Sequence, residues 1–178
     1  LERVNMKIID VTKEPYLSEY LETIKEAKHG RGTAYNACKD CKIYIFRKAK
    51  EYAQKHNIKI IASGEVIGQR PMSSIKKAMK TIDEEIGFDI LRPLSAKLLP
   101  ETPAEREGLV DRSKFHDIQG RSRKIQMQLA KEYDIEYPTP GGGCLLCEQI
   151  LKKRFETLVG DNMVTEENLP LCLLYKSD

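Results

Sequence analysis

The sequence has no apolar run approaching the roughly 20 residues that a membrane-crossing helix needs. Its opening, Leu1-Glu2-Arg3-Val4-Asn5, has none of the apolar core of a secretory leader. These two absences make the cytoplasm the expected compartment and exclude a membrane partner. A strong charge of either sign is also missing: 30 Lys and Arg face 27 Asp and Glu, for a formal net charge of +3. Such a balance excludes whole-molecule attraction as the driving force for binding nucleic acid, so any such contact must use a local basic surface. There is no internal repeat and no low-complexity stretch, which excludes a solenoid or an unstructured spacer. The first residue is Leu rather than Met, as expected of a fragment or a processed product.

What is present is the composition of a globular domain: 178 residues, 40% of them hydrophobic and 32% charged. Five cysteines in a reducing compartment are expected as ligands or catalytic thiols rather than as disulfides.

Apolar periodicity sets out the elements. Residues 6–11 (Met-Lys-Ile-Ile-Asp-Val) read as a buried strand, and Tyr16, Leu17, Tyr20, Leu21 and Ile24 as one helix face. A second helix starts near Asn36 or Cys38, carries Cys41, Ile45, Ala49 and Tyr52 on one face and ends by Asn57. Ile58 to Ala62 and Asp89 to Leu94 read as further strands. Between them Pro71 suits the first turn of a helix that buries Ile75, Met79, Ile82 and Ile86 and stops at Gly87. Pro100, Thr102 and Pro103 introduce a short acidic helical turn. Residues 121–133 are expected as an amphipathic helix with Ile125, Leu129 and Tyr133 inward. A Pro-and-Gly loop over residues 138–143 leads to a last helix near Leu146 to Val159, and Leu169 to Tyr175 is an edge strand or a packing segment. Strands alternating with helices predict an α/β layer fold with a parallel sheet.

Four cysteines form two C-x-x-C pairs. Cys38 and Cys41 open a helix, where a spacing of three puts both sulfurs on one face and the helix N-terminus favours thiolates. Cys144 and Cys147 follow three glycines, which let the backbone approach a bound group closely. An iron–sulfur cluster, structural zinc, thioredoxin-like redox chemistry and inert buried thiols all remain open. A zinc ribbon would separate its pairs by about 15–20 residues, whereas about a hundred lie between these two. Cys172, in an apolar run, reads as a core residue.

Among the polar strings, Arg121, Arg123 and Lys124, with Arg112 and Lys114 nearby, make the densest basic segment. They suit RNA phosphates or a solvated helix start. Ser63-Gly64-Glu65 follows an expected strand, at the edge where α/β sheets bind ligands, or forms a plain turn. Gln69 and Arg70 can reach a phosphate from that edge, and Arg92 and Lys97 flank another strand end. His29, His56 and His116 are scattered among polar residues and read as surface positions.

Several of these strings together resemble a known family. Residues 36–42 (Asn-Ala-Cys-Lys-Asp-Cys-Lys), 62–73 (Ala-Ser-Gly-Glu-Val-Ile-Gly-Gln-Arg-Pro-Met-Ser) and 91–100 (Leu-Arg-Pro-Leu-Ser-Ala-Lys-Leu-Leu-Pro) resemble PP-loop tRNA sulfurtransferases, the ThiI-like and 2-thiouridylase-like proteins. The likeness continues at 105–108, 120–124 and 142–146 and covers most of residues 15–150 in order.

The resemblance implies an adenine-nucleotide α-hydrolase-like sheet, truncated at its N-terminus, over residues 1–160, with 161–178 as a tail. It implies sulfur insertion into a tRNA uridine: ATP and magnesium adenylate the uracil oxygen, and a sulfur nucleophile displaces AMP. It implies a 4Fe–4S cluster, with zinc as the alternative, on Cys38, Cys41 and Cys144, with Cys147 as a fourth candidate and Cys38 and Cys144 as catalytic thiols. Gly64, Glu65, Gln69 and Arg70 would border the nucleotide or uridine, and Arg121, Arg123 and Lys124 would meet tRNA. The implied partners are tRNA, a sulfur donor and a separate ATP-binding part or a second copy. Three departures stand out: the phosphate-cradling Ser-Gly-Gly-x-Asp-Ser string is absent, Ala37 replaces the family's Pro, and Cys147 replaces its Thr. The last either fills the open iron or relays a persulfide.

Overall fold

In the computed structural model, residues 6–137, 144–161, 163, 165, 167 and 168 are described. The chain divides into two compact units, one drawn from Leu1–Cys41 and Pro138–Asp178, the other from Lys42–Tyr137.

The first unit holds helix α1 (Tyr16–Glu26), the opening residues of α2 (Cys38–Lys55), a 3-10 turn (Leu145–Cys147) and α6 (Gln149–Gly160). Leu17, Leu21 and Ile24 recur at helical spacing on α1, while Leu151, Phe155 and Leu158 do so on α6. These two stripes and Tyr35 form one core, with Tyr20, Leu146 and Val159 packed against it. The end of α1 is closed by Ala27 in a left-handed conformation and by Arg31. Arg31 gives Nη2 to the carbonyls of Ile24 (2.8 Å) and Lys25 (2.5 Å) and lies 4.4 Å over the Tyr35 ring.

The second unit holds the rest of α2, α3 (Lys76–Ile86), the single turn α4 (Pro103–Arg106) and α5 (Lys124–Glu132), joined by long ordered loops. Ile43 and Phe46 of α2 meet Ile82, Ile86 and Ile90, with Ile61 and Phe88 at the margin. Gly87 ends α3 at φ 58°, where a Cβ would be strained, and its N–H reaches the carbonyls of Asp83 and Glu84.

The parallel-sheet α/β expectation is overturned. The described residues are 48% helix and 3% strand and contain no sheet. The expected second and third strands do lie side by side, but they share a single parallel bridge, Ala62 with Leu91. Leu91 N–H donates to Ile61 O and Ser63 N–H to Leu91 O, each at 2.9 Å. The next rung would need an N–H two residues further on, where Pro93 has none. At the other bridge, Ile67 with Gln119, the Ile67 N–H goes to Ser95 Oγ at 3.1 Å. The expected first strand, residues 6–11, pairs with nothing described, and its Met6 and Ile8 are each 71% exposed.

Three helix faces also differ from expectation. On α2 the buried apolar positions are Ile43, Tyr44, Phe46 and Ala53, and Ile45 faces solvent, because the wall of Ile82, Ile86 and Ile90 lies on the Ile43–Phe46 side. Helix α3 starts at Lys76, five residues after Pro71, and leaves Ile75 exposed. Helix α5 buries no residue, and Ile125 and Tyr133 are exposed. The short acidic turn after Pro100 and the last helix form as expected. The 138–143 loop, Leu169 to Tyr175 and Cys172 lie outside the described residues.

Candidate cysteine site

Cys38 and Cys41 both sit in the first turn of α2, partly buried. Cys41 N–H donates to Ala37 O at 2.8 Å, so the helical turn itself fixes the spacing of the two sulfurs. The neighbouring Asp40, 5% exposed, accepts the His29 N–H at 3.2 Å and anchors the preceding loop. Cys144 and Cys147 flank and close the 3-10 turn, and both are exposed. That turn is tied to the loop before α2 by Tyr35 N–H to Leu146 O at 3.0 Å, and Gln149 Nε2 to Thr33 O at 2.8 Å secures the start of α6 to the same loop.

Two polar groups point at the first pair. Asn36 Nδ2 donates to Cys38 Sγ at 3.4 Å, and the Tyr20 hydroxyl lies 3.5 Å from Cys41 Sγ. The Tyr20 phenol is held far above its ordinary range. Burial is the largest cause, followed by the charge of Cys41, the hydrogen bond to it, and the charges of Cys144 and Cys38. The partly buried Tyr20 hydroxyl thus stands beside one thiol of the first pair. Among the described residues no three Cys, His, Asp or Glu side chains stand together as a ready-made metal cage. The donor chemistry fits a soft-ligand centre: Cys38, Cys41, Cys144 and Cys147 belong to one unit and all supply sulfur.

The expected pocket residues lie in the other unit. Glu65 is not at a sheet edge, since the described residues contain no sheet; it is the middle of a charge network. Its carboxylate receives Lys42 Nζ, Ser63 Oγ at 3.2 Å and Arg92 Nε at 2.9 Å. Arg92, 3% exposed, also gives both Nη atoms to Asp83. Gly64 and Arg70 are exposed and Gln69 is half-buried beside them. Arg92 is therefore committed to carboxylates of its own chain, while Lys97 faces solvent.

Of the basic segment, Arg121, Arg123 and Lys124 are exposed. Arg112 is otherwise engaged: it bonds Glu105 at 2.5 Å and the carbonyls of Ala96 and Leu99 at 2.8 and 2.9 Å. His56 is exposed, whereas His29 and His116 are half-buried.

Sequence reasoning passed over Tyr20, Asn36 and Lys42. Asn36 carried a signal, since Asn commonly hydrogen-bonds two residues onward at a helix start. Tyr20 and Lys42 meet partners 21 and 23 positions away and carried none. Among the described residues no helix is long and apolar enough to cross a membrane. Comparison with known proteins found no family model, no curated protein and no solved structure that matches this chain.

Proposed function

We propose that this chain serves tRNA thiolation, with Cys38, Cys41 and Cys144 as the centre of its sulfur chemistry. The observation that carries the reading is that Cys38 and Cys41 share the first turn of α2, while the 3-10 turn flanked by Cys144 and Cys147 is tied to the loop before that helix by Tyr35 N–H to Leu146 O. The sequence likeness around residues 36–42, 62–73 and 91–100 supplies the substrate class. Cys38 and Cys41 would hold an iron–sulfur cluster from the helix turn, with Cys144 from the 3-10 turn and Cys147 beside it; zinc is the alternative metal. When bound, a cluster of this kind presents sulfur to an activated uridine. The cysteines' own part is to offer sulfur ligands, two from the first turn of α2 and two from the 3-10 turn. Arg121, Arg123 and Lys124 offer phosphates an exposed basic segment. Gly64, Gln69 and Arg70 are the positions open to a nucleotide, Glu65 being the salt-bridged anchor beneath them. A sulfur donor and a separate ATP-binding part or second copy complete the reaction.

A second reading is a metal- or tRNA-binding module that works with another chain without catalysis. The lack of a Ser-Gly-Gly-x-Asp-Ser string in this sequence favours it.

The test is anaerobic purification with iron, sulfide and zinc analysis, then incubation with tRNA, ATP, magnesium and sulfide. Thiolated tRNA is read by its retardation in a mercury-containing gel. Iron and sulfide that disappear in Cys38→Ser, Cys41→Ser and Cys144→Ser, together with thiolated product, bear out the first reading. Stoichiometric metal and tRNA binding without product, even when an ATP-binding partner is added, support the second. A protein that holds no metal under these conditions overturns the first reading, and one that also binds no tRNA overturns both.

A further inference from the structure

We infer that Tyr20 and Asn36 are positioning residues for the cysteine centre, each donating a hydrogen bond to one sulfur of the first pair. The inference rests on the proposed role of Cys38 and Cys41 as metal ligands and adds what tunes them.

The geometry is specific. The Tyr20 hydroxyl is 3.5 Å from Cys41 Sγ, and Asn36 Nδ2 is 3.4 Å from Cys38 Sγ. Both fall in the range of hydrogen bonds to sulfur, which run longer than those to oxygen. Each donor is held by its own surroundings. The Tyr20 ring packs against the α1–α6 core. Asn36 is 7% exposed; its Oδ1 accepts Ala34 N–H at 3.3 Å, and its carbonyl accepts Gly32 N–H at 2.9 Å. With Oδ1 turned to Ala34, the NH₂ end is the one that faces Cys38. A thiolate has no proton to give, so once Cys38 and Cys41 are ligands both neighbours must be donors.

Hydrogen bonds to a ligating sulfur draw electron density from it. They orient the ligand and shift the spectrum and potential of the metal it holds. A Phe at position 20 would serve the core packing equally well, so packing does not account for the hydroxyl's place beside Cys41.

The experiment is anaerobic titration of the full chain with Co²⁺, which reports thiolate coordination through its sulfur-to-metal charge-transfer bands. Wild type, Tyr20→Phe and Asn36→Asp are compared, and circular dichroism melting checks that each is folded. Tyr20→Phe is expected to move the charge-transfer band to lower energy and to weaken Co²⁺ binding about tenfold. Asn36→Asp keeps the acceptor for Ala34 and replaces the donor with a negative oxygen, so its band moves further in the same direction. Band positions and affinities equal to wild type in both variants overturn the positioning role while leaving the metal reading intact. A wild type without thiolate–cobalt bands overturns the metal reading, and this inference falls with it.

Discussion

Both Nη atoms of Arg92 bond the carboxylate of Asp83, at 2.7 and 2.8 Å. Burial alone would lower the guanidinium's pKa, but the Asp83 bond and charge and then the Glu65 charge and bond raise it above its ordinary value. The side chain is cationic and enclosed, and two carboxylates depend on it. Replacing Arg92 by Ala leaves Asp83 and Glu65 without their guanidinium, and stability should fall by about 3–5 kcal/mol. Urea unfolding of the two proteins measures it; a loss below 1 kcal/mol would mark the network as solvated and dispensable.

Glu105 gives the fold a pH dependence. Burial pushes its carboxyl up, but the Thr102 N–H and hydroxyl and Arg112 more than reverse this and hold it below its ordinary value of 4.5. A depressed folded pKa contributes stability that is present above 4.5 and is lost as pH falls through the lowered value. The acid limb of the melting curve should therefore flatten in Glu105→Gln. Thr102→Ala removes the hydroxyl that donates to the same carboxylate at 2.8 Å and should cost about 1 kcal/mol near neutral pH.

Ile82 and Ile125 are two isoleucines that sequence periodicity places equally inward. Ile82 is fully buried and Ile125 is 50% exposed. Ile82→Ala should cost about 2–5 kcal/mol, whereas Ile125→Ala should stay within about 0.5 kcal/mol. Equal losses in chemical unfolding would place α5 in a core after all.

If tRNA is the partner, binding should weaken steeply with salt as phosphate contacts release counterions. Changing Arg121, Arg123 and Lys124 together to Ala should cost more affinity than changing Lys76, Lys77 and Lys80. It should also flatten the log–log salt slope by about two to three. Filter binding across salt concentrations reads both effects. Equal losses from the two triples would mean a diffuse encounter rather than a placed contact.

Local chemistry was legible from the sequence alone. The Leu17–Leu21–Ile24 stripe, the stop at Gly87, the turn after Pro100 and the pairing of Cys38 with Cys41 on one helical turn all depend on neighbours within about four residues. Those relations follow from backbone geometry and side-chain type. The functional expectation came only from resemblance, because order and spacing carry it rather than any local rule.

What only the tertiary structure decided were the pairings between distant segments. An apolar run such as residues 58–62 suits a sheet or a loop equally well, and a single proline in the neighbouring segment ended its ladder after one bridge. Which face of α2 is buried depended on where Ile82, Ile86 and Ile90 came to lie, and the partners of Glu65 depended on Lys42 and Arg92, 23 and 27 positions away. The Tyr20 hydroxyl reached Cys41 for the same reason: long-range contacts are set by the packing of whole elements, and periodicity within one element holds no record of them.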